Sequence, residues 1–208
     1  MSNNEVKPEF WENAFIEKKE MWGMEPSPSA VLSKDYFLQY NLRNILVPGS
    51  GYGRNAQVFK KCGMTVTGIE ISQTAINMAK KHYGDDMVFH HGSVSDMPFD
   101  HLKYDGIFCY GLIHLLDSND RIKLIQDCYH QLTENGHMIF VAISKTAPPY
   151  GKGTYIEKDR YENAGGVKIF YYDTESIQEE FGTFGLVEVT EIIENFPFYI
   201  IKCNKCKK

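Results

Sequence analysis

The chain has no apolar run near the roughly 20 residues needed to span a bilayer. Its opening, MSNNEVKPEF, has no apolar signal-peptide core. Membrane partners are therefore not expected, and the reading is a cytoplasmic protein. Basic charge is short too: 22 Lys+Arg stand against 27 Asp+Glu, a formal net charge of -5. A nucleic-acid partner would need a basic face, so none is expected. Cysteine is scarce, with five in 208 residues. Cys203 and Cys206 form one C-x-x-C, but zinc takes four ligands and there is no second pair, so no metal is expected. That pair reads as part of a solvated basic tail, KCNKCKK, and Cys62, Cys109 and Cys128 as reduced core residues. Repeats and low-complexity tracts are absent, and no feature fixes an oligomeric state.

What is present fits one globular domain, 1–208, with 43% apolar and 24% charged residues. After residue 43 short β-type runs alternate with helical patterns. NILVP (44–48), MTVTGIE (64–70), MVFHH (87–91), YDGIFCY (104–110) and HMIFVAIS (137–144) read as strands. RNAQVFKKC and SQTAINMAKKH read as helices, the second capped by Ser72. Asp117 or Ser118 caps another, with an apolar stripe of Ile122, Ile125, Tyr129 and Leu132, and Asn135-Gly136 ends it. DTESIQEEFGTFG is a last helix, and LVEVTEII and FPFYIIKC close as an antiparallel pair. Alternation of this kind means parallel β-α-β units with both sheet faces covered. Two segments stand apart: 1–43, read as two helices, and 145–172, a long connection with little periodicity. Loops of that length in a compact domain tend to be functional or mobile.

The turn LVPGSGYGRN sits at the carboxyl end of the first strand, where ligands bind in such sheets. Its glycines are Gly49, Gly51 and Gly53, a G-x-G-x-G pattern. A dinucleotide fingerprint needs G-x-G-x-x-G, and Arg54 stands where its third glycine belongs. A phosphate-binding G-x-x-x-x-G-K-[ST] is absent. Glu70 ends the second strand, where a carboxylate can accept hydrogen bonds from both hydroxyls of a ribose. NAD and S-adenosylmethionine sites share that feature.

With GSVSDMPF (92–99) and YDGIFCYGLIHLL in order after these strings, the chain resembles the class I S-adenosylmethionine-dependent methyltransferases over residues 40–144. The resemblance implies an α/β fold: one Rossmann-like doubly wound sheet, mostly parallel with an antiparallel C-terminal strand, plus an N-terminal helical lid. It implies S-adenosylmethionine as cofactor. It also places Gly49, Ser50 and Gly51 at the methionine and ribose, Glu70 on the ribose hydroxyls and Ile71 on the adenine. Ser93 and Val94 fall at the adenine edge, and Cys109 and Tyr110 near the methionine end. Two positions depart from the family pattern. Val47 replaces an acidic residue, and Ser93 stands where Asp is frequent, so a backbone amide or Asp96 would read the adenine. The Val-Pro before the glycines, with Trp11 and Trp22 upstream, resembles the thiopurine, thiol and tellurite methyltransferase branch. There the N-terminal segment closes over the ligands.

The cofactor's carboxylate suits backbone amides at a helix N-terminus, and its sulfonium suits aromatic faces. Trp22, Tyr52 and Tyr110 are the aromatic candidates, with Tyr52 read first as core packing. Methyl transfer from a sulfonium needs mainly alignment and exclusion of water. His114 is the nearest candidate base and Tyr150 a weaker one. His114 reads first as structural, and no catalytic residue is assigned. APPY (147–150) resembles the NPPY-type motif of nucleic-acid methyltransferases, but follows the fifth strand and lacks the Asn, so it reads as a proline loop. The expected acceptor is a small, partly apolar molecule walled by the N-terminal segment and by Tyr150, Tyr155, Tyr161 and Phe170. The competing readings are a dinucleotide-dependent oxidoreductase and a non-catalytic S-adenosylmethionine-binding module.

Overall fold

The computed structural model describes residues 8–206. Two helices come first, α1 (Pro8–Lys18) and α2 (Pro28–Gln39). Ser27 caps α2 by accepting from the Ala30 N–H, and Pro28 takes the first turn, where its missing N–H costs nothing. The sheet then builds as β1 (Asn44–Pro48), β2 (Thr65–Glu70), β3 (Val88–His91), β4 (Tyr104–Tyr110) and β5 (Leu132–Ile143). Between them lie α3 (Ala56–Lys61), α4 (Gln73–Tyr83) and α5 (Ser118–Gln131). The caps fall where the sequence places them: Ser72 accepts from Ala75 N–H and Asp117 from Asp120 N–H.

Residues 145–172 differ from expectation. They hold a three-stranded antiparallel sheet of β6 (Thr154–Glu157), β7 (Arg160–Glu162) and β8 (Lys168–Phe170). Strands of three or four residues are too short to show a period. The chain ends in α6 (Thr174–Phe181), β9 (Leu186–Ile193) and β10 (Pro197–Asn204).

The main sheet runs β3-β2-β1-β4-β5-β10-β9. Neighbours among β1–β5 are parallel, and β10 lies antiparallel between β5 and β9. This is an α/β, mostly parallel Rossmann-like sheet. Leu46, Ile107, Cys109 and Phe140 pack on one face with Leu124, Ile125 and Ile177 of α5 and α6. Ile45, Val47 and Phe108 pack on the other with Phe37 of α2 and Phe59 of α3. With both faces covered, the strands read as continuous apolar runs. The winding reverses between β1 and β4, so their carboxyl ends flank the switch point where such sheets bind ligands. No described helix is long and apolar enough to cross a membrane.

Three expectations need correcting. Asn135-Gly136 does not end α5. The helix stops at Gln131, and Leu132 pairs with Tyr104 and starts β5, while Asn135, at φ 61, makes a kink inside that strand. Ile122 is 43% exposed; the buried face of α5 instead carries Arg121, Leu124, Ile125 and Cys128. Arg121 takes the inner position because its guanidinium bonds Glu180 and lies 3.8 Å over the Phe170 ring. Finally, Cys203 is no tail residue. It is fully buried in β10, paired with Met138 and Leu186, whereas Cys206 is exposed.

Candidate active site

A cleft of about 1420 Å³ opens at the carboxyl ends of β1, β2 and β4. That exceeds the roughly 300–1,000 Å³ of an ordinary single-ligand pocket. Trp22, Gly49, Ser50, Gly51, Glu70, Ile71, Ser93, Val94 and Tyr110 all line it. Cys109 does not. It is fully buried on the α5 face of the sheet, and its neighbours Phe108 and Tyr110 face the cleft instead. Alternation along a strand forces this: residues 108 and 110 share one side and 109 the other.

The glycine turn is built from left-handed backbone, with φ of 66 at Gly49 and 53 at Gly51. A Cβ on Gly49 would come 2.9 Å from Leu112 Cδ2, whereas one on Gly51 would meet nothing nearer than Phe15 at 3.8 Å. The turn is cinched to β2: Gly49 and Ser50 N–H both donate to Ile69 O, and Gly53 N–H to Ser50 O. Gly51 N–H donates to Glu70 Oε2 at 2.8 Å, and Ser72 N–H to Oε1 at 2.9 Å. Four turn amides therefore already donate within the protein, against the expectation that they receive the cofactor's carboxylate. Ser50 Oγ is buried with no hydrogen-bond partner among the described residues.

Glu70 is 6% exposed, and burial pushes its carboxyl above the usual value of 4.5 against the two amides that hold the charged form. A carboxylate has about four acceptor positions, and the amides use two. A pair of vicinal hydroxyls fits the remainder. After β3, Ser93 caps the turn at Val94–Asp96 by accepting from Ser95 N–H, leaving Val94 and Asp96 on the cleft wall.

The N-terminal segment is laced onto the residues just after the glycines. Tyr52 Oη donates to Gly23 O at 2.7 Å and accepts from Trp22 N–H at 3.1 Å. Arg54 donates to the carbonyls of Trp22 and Glu25, Asn55 accepts from Ser27 N–H, and Gln57 donates to Met24 O. The Trp22 ring stacks on Tyr52, centroids 6.2 Å apart and 11° from parallel. Tyr52 is 1% exposed beneath it, a core residue as read from the sequence. Trp11 lies 6.3 Å from Trp22, so both tryptophans of the chain report on this one cluster. Arg54→Ala is expected to change tryptophan emission, because the segment carrying Trp22, itself 46% exposed, loses two of its anchors. Steady-state fluorescence checks this.

At the far end of the cleft His114 is 7% exposed, and its Nδ1 accepts from Ile143 N–H at 3.3 Å. Burial drives its pKa down to about 3. With Nδ1 accepting, the proton of the neutral ring sits on Nε2, so His114 is a donor there and not a base. Tyr110 Oη donates to Glu194 Oε2 at 2.7 Å, and Ser29 N–H donates to Oε1 at 2.8 Å. The expected aromatic wall is not there. Tyr150 Oη donates to Asp159, Tyr155 is 64% exposed, Tyr161 packs on Tyr150, and Phe170 lies under Arg121. Arg160, Lys168 and Ile169 of the small sheet, with Glu194, Phe196 and Phe198, stand in their place. No group of three potential metal ligands occurs among the described residues.

This strand order, with a glycine turn after β1 and a buried carboxylate ending β2, is a Rossmann-like arrangement that resembles the S-adenosylmethionine-dependent methyltransferases. Residues 46–140 match the family described as a methyltransferase domain. Solved structures share the fold. The 1,6-didemethyltoxoflavin-N1-methyltransferase of Burkholderia thailandensis superposes with a TM-score of 0.75 at 14% identity, over 96% of this chain and 87% of that one. Magnesium protoporphyrin IX methyltransferase of Synechocystis PCC 6803 gives 0.71 at 11%, over 98% and 100%. An S-adenosylmethionine-dependent methyltransferase of Clostridium acetobutylicum gives 0.73 at 14%, over 95% and 99%. Among curated proteins none matches this chain in sequence.

Proposed function

We propose that residues 1–208 act as one methyltransferase domain, with 1–43 a helical lid over the 44–208 core, and that the acceptor is a small molecule presenting a soft nucleophile such as a thiol. The observation that carries the reading is Glu70, buried at the cleft with two amides on its carboxylate and acceptor capacity left over. In this reading Glu70 takes both ribose hydroxyls, Ile71 packs on the adenine and Ser93 and Val94 edge it. The backbone of Gly49, Ser50 and Gly51 passes close beneath the ligand, where a side chain at Gly49 would collide with Leu112. Bound S-adenosylmethionine supplies a methyl group already activated on a sulfonium. Tyr110 and Trp22 offer it aromatic faces, which attract a cation without neutralising it. The lid residues around Trp22 exclude water.

Three observations favour a soft acceptor. His114 offers no basic lone pair to the cleft. Tyr150 is committed to Asp159. Glu194 already accepts two hydrogen bonds. A thiolate needs no base near neutral pH. The Val47-Pro48 pair and Trp11 and Trp22 are the further resemblance to the thiol and tellurite branch. The Burkholderia and Synechocystis enzymes are named for small-molecule substrates, which fits a cleft of this size. The five free cysteines suit a reducing, cytoplasmic setting.

The test is release of S-adenosylhomocysteine with a panel of thiols, tellurite, selenite and phenols. Turnover is expected on a thiol or chalcogen oxyanion, with no activity loss from a histidine titrating between about pH 6 and 8. Turnover confined to phenols would overturn the soft-nucleophile reading. No turnover on any, with S-adenosylhomocysteine bound, would leave a cofactor-binding module.

A further inference from the structure

Three basic side chains lie beside or within the small sheet β6–β8: Arg121 of α5, Lys145 after β5 and Arg160 of β7, and the first two are saturated. Arg121, 4% exposed, gives Nε and Nη2 to Glu180 at 2.9 Å, gives Nη1 to Leu116 O at 3.3 Å and stacks on Phe170. Lys145 is held between Asp159 and Asp173. Arg160 is different. It is 8% exposed, as buried as many core residues, and it lines the acceptor end of the cleft. Its one hydrogen bond among the described residues is a 3.4 Å contact from Nη1 to Glu157, whose side chain is 45% exposed. Its Nε is buried with no partner.

A guanidinium has five N–H donors in a fixed fork, and an under-bonded buried charge is costly to a fold. The cost is offset if an oxyanion completes the fork in the working complex. Arg160 pairs with Phe170 across β7 and β8, which fixes it on the same face of the sheet as that buried ring. Lys168, two residues from Phe170, lines the same wall. Phe196 and Phe198 also line the cleft, which suits an apolar body attached to the anion.

From this we infer that the methyl acceptor is an organic oxyanion, a small apolar molecule carrying a carboxylate or phosphate ester received by Arg160. The inference rests on the methyl-transfer reading and adds the substrate's charge to it. Arg160 is then a binding residue whose burial serves the ligand and not the apo fold.

Wild-type protein saturated with S-adenosylhomocysteine is screened by thermal shift against aromatic and heteroaromatic acids, their matched carboxamides, the matching phosphate esters and inorganic phosphate. Stabilising compounds are expected among the acids or esters and not the carboxamides, with affinities by calorimetry at least about tenfold apart within a pair. Acids ahead of esters, or the reverse, assigns the oxyanion; inorganic phosphate acting as well as either would show that the apolar body contributes nothing and would overturn the organic part. R160M should abolish the preference and R160K should keep part of it. Both should bind S-adenosylhomocysteine as wild type does. Apo R160M should melt at or above wild type, because a structural arginine would lower the melting point and this one does not. Equal binding of acids and carboxamides, a preference that survives R160M, or no acid or ester binding to a protein that binds S-adenosylhomocysteine would each overturn the inference. Failure of S-adenosylhomocysteine itself to bind would instead strike the methyl-transfer reading.

Discussion

Replacing Glu70 with alanine is expected to weaken S-adenosylhomocysteine binding by about 1–3 kcal/mol, the worth of one or two charged hydrogen bonds. That is roughly 5- to 150-fold in Kd. The side chain is 6% exposed and its two oxygens hold Gly51 and Ser72 N–H. Removing it takes away the proposed ribose contacts and leaves the Gly51 and Ser72 donors without their acceptor. Glu70→Gln should do little better, because its NH₂ group would face an N–H donor where an oxygen now accepts. Calorimetric titration of the two variants measures both effects. Unchanged affinity in Glu70→Ala would remove this residue from the site.

The same carboxylate sets a pH dependence. Burial raises the Glu70 pKa above 4.5 in the folded protein. Hydroxyl donors favour the ionised form, so binding should weaken as pH falls through that raised value. Its acid limb should lie above the ordinary glutamate range. For folding the sign is opposite. A raised carboxyl pKa favours the folded state at low pH, and this contribution is lost as pH climbs from 4.5 through the folded value. Titrations of S-adenosylhomocysteine across the acid range read the first effect.

Phe37→Ala should be among the most damaging single truncations for stability, costing about 3–5 kcal/mol. For a chain of this length that is roughly 6–20 °C in melting temperature. Phe37 is fully buried, lies 5.5 Å from Phe59 and fills the space above Gly106 of β4. A Cβ on Gly106 would sit 3.0 Å from the Phe37 ring and 2.7 Å from Ile45 Cδ1. α2 thus packs on the strand that leads to Tyr110, and truncating its central ring leaves a cavity between α2 and the sheet. Differential scanning calorimetry tests it. A loss under about 1 kcal/mol would mean that α2 collapses onto the sheet freely.

Much of this architecture was legible because its signals are local. β4 runs Tyr104–Tyr110 as its apolar run suggests, and Ser72 and Asp117 cap the helices that follow them. Glu70 could be picked out because a carboxylate ending the strand next to a glycine turn stands where ribose hydroxyls are accepted. What stayed hidden is long-range or two-sided. β4 is buried on both faces and shows no alternation, so nothing local tells that Tyr110 faces the cleft and Cys109 the core. Glu194 meets Tyr110 only because the β9–β10 hairpin joins the sheet antiparallel beside β5, which brings its turn to the carboxyl end of β4. Arg160 lies in a segment whose strands are too short for any period to register. Tyr52, Arg54, Asn55 and Gln57 look like the glycine turn's own sequence, yet their side chains hold the N-terminal segment at Trp22–Ser27.

The most direct measurement is calorimetric titration of the protein with S-adenosylhomocysteine and, separately, with NAD, each repeated on Glu70→Ala. The account predicts one-to-one binding of S-adenosylhomocysteine that Glu70→Ala weakens, and no heat from NAD. Binding of NAD with none of S-adenosylhomocysteine would contradict it.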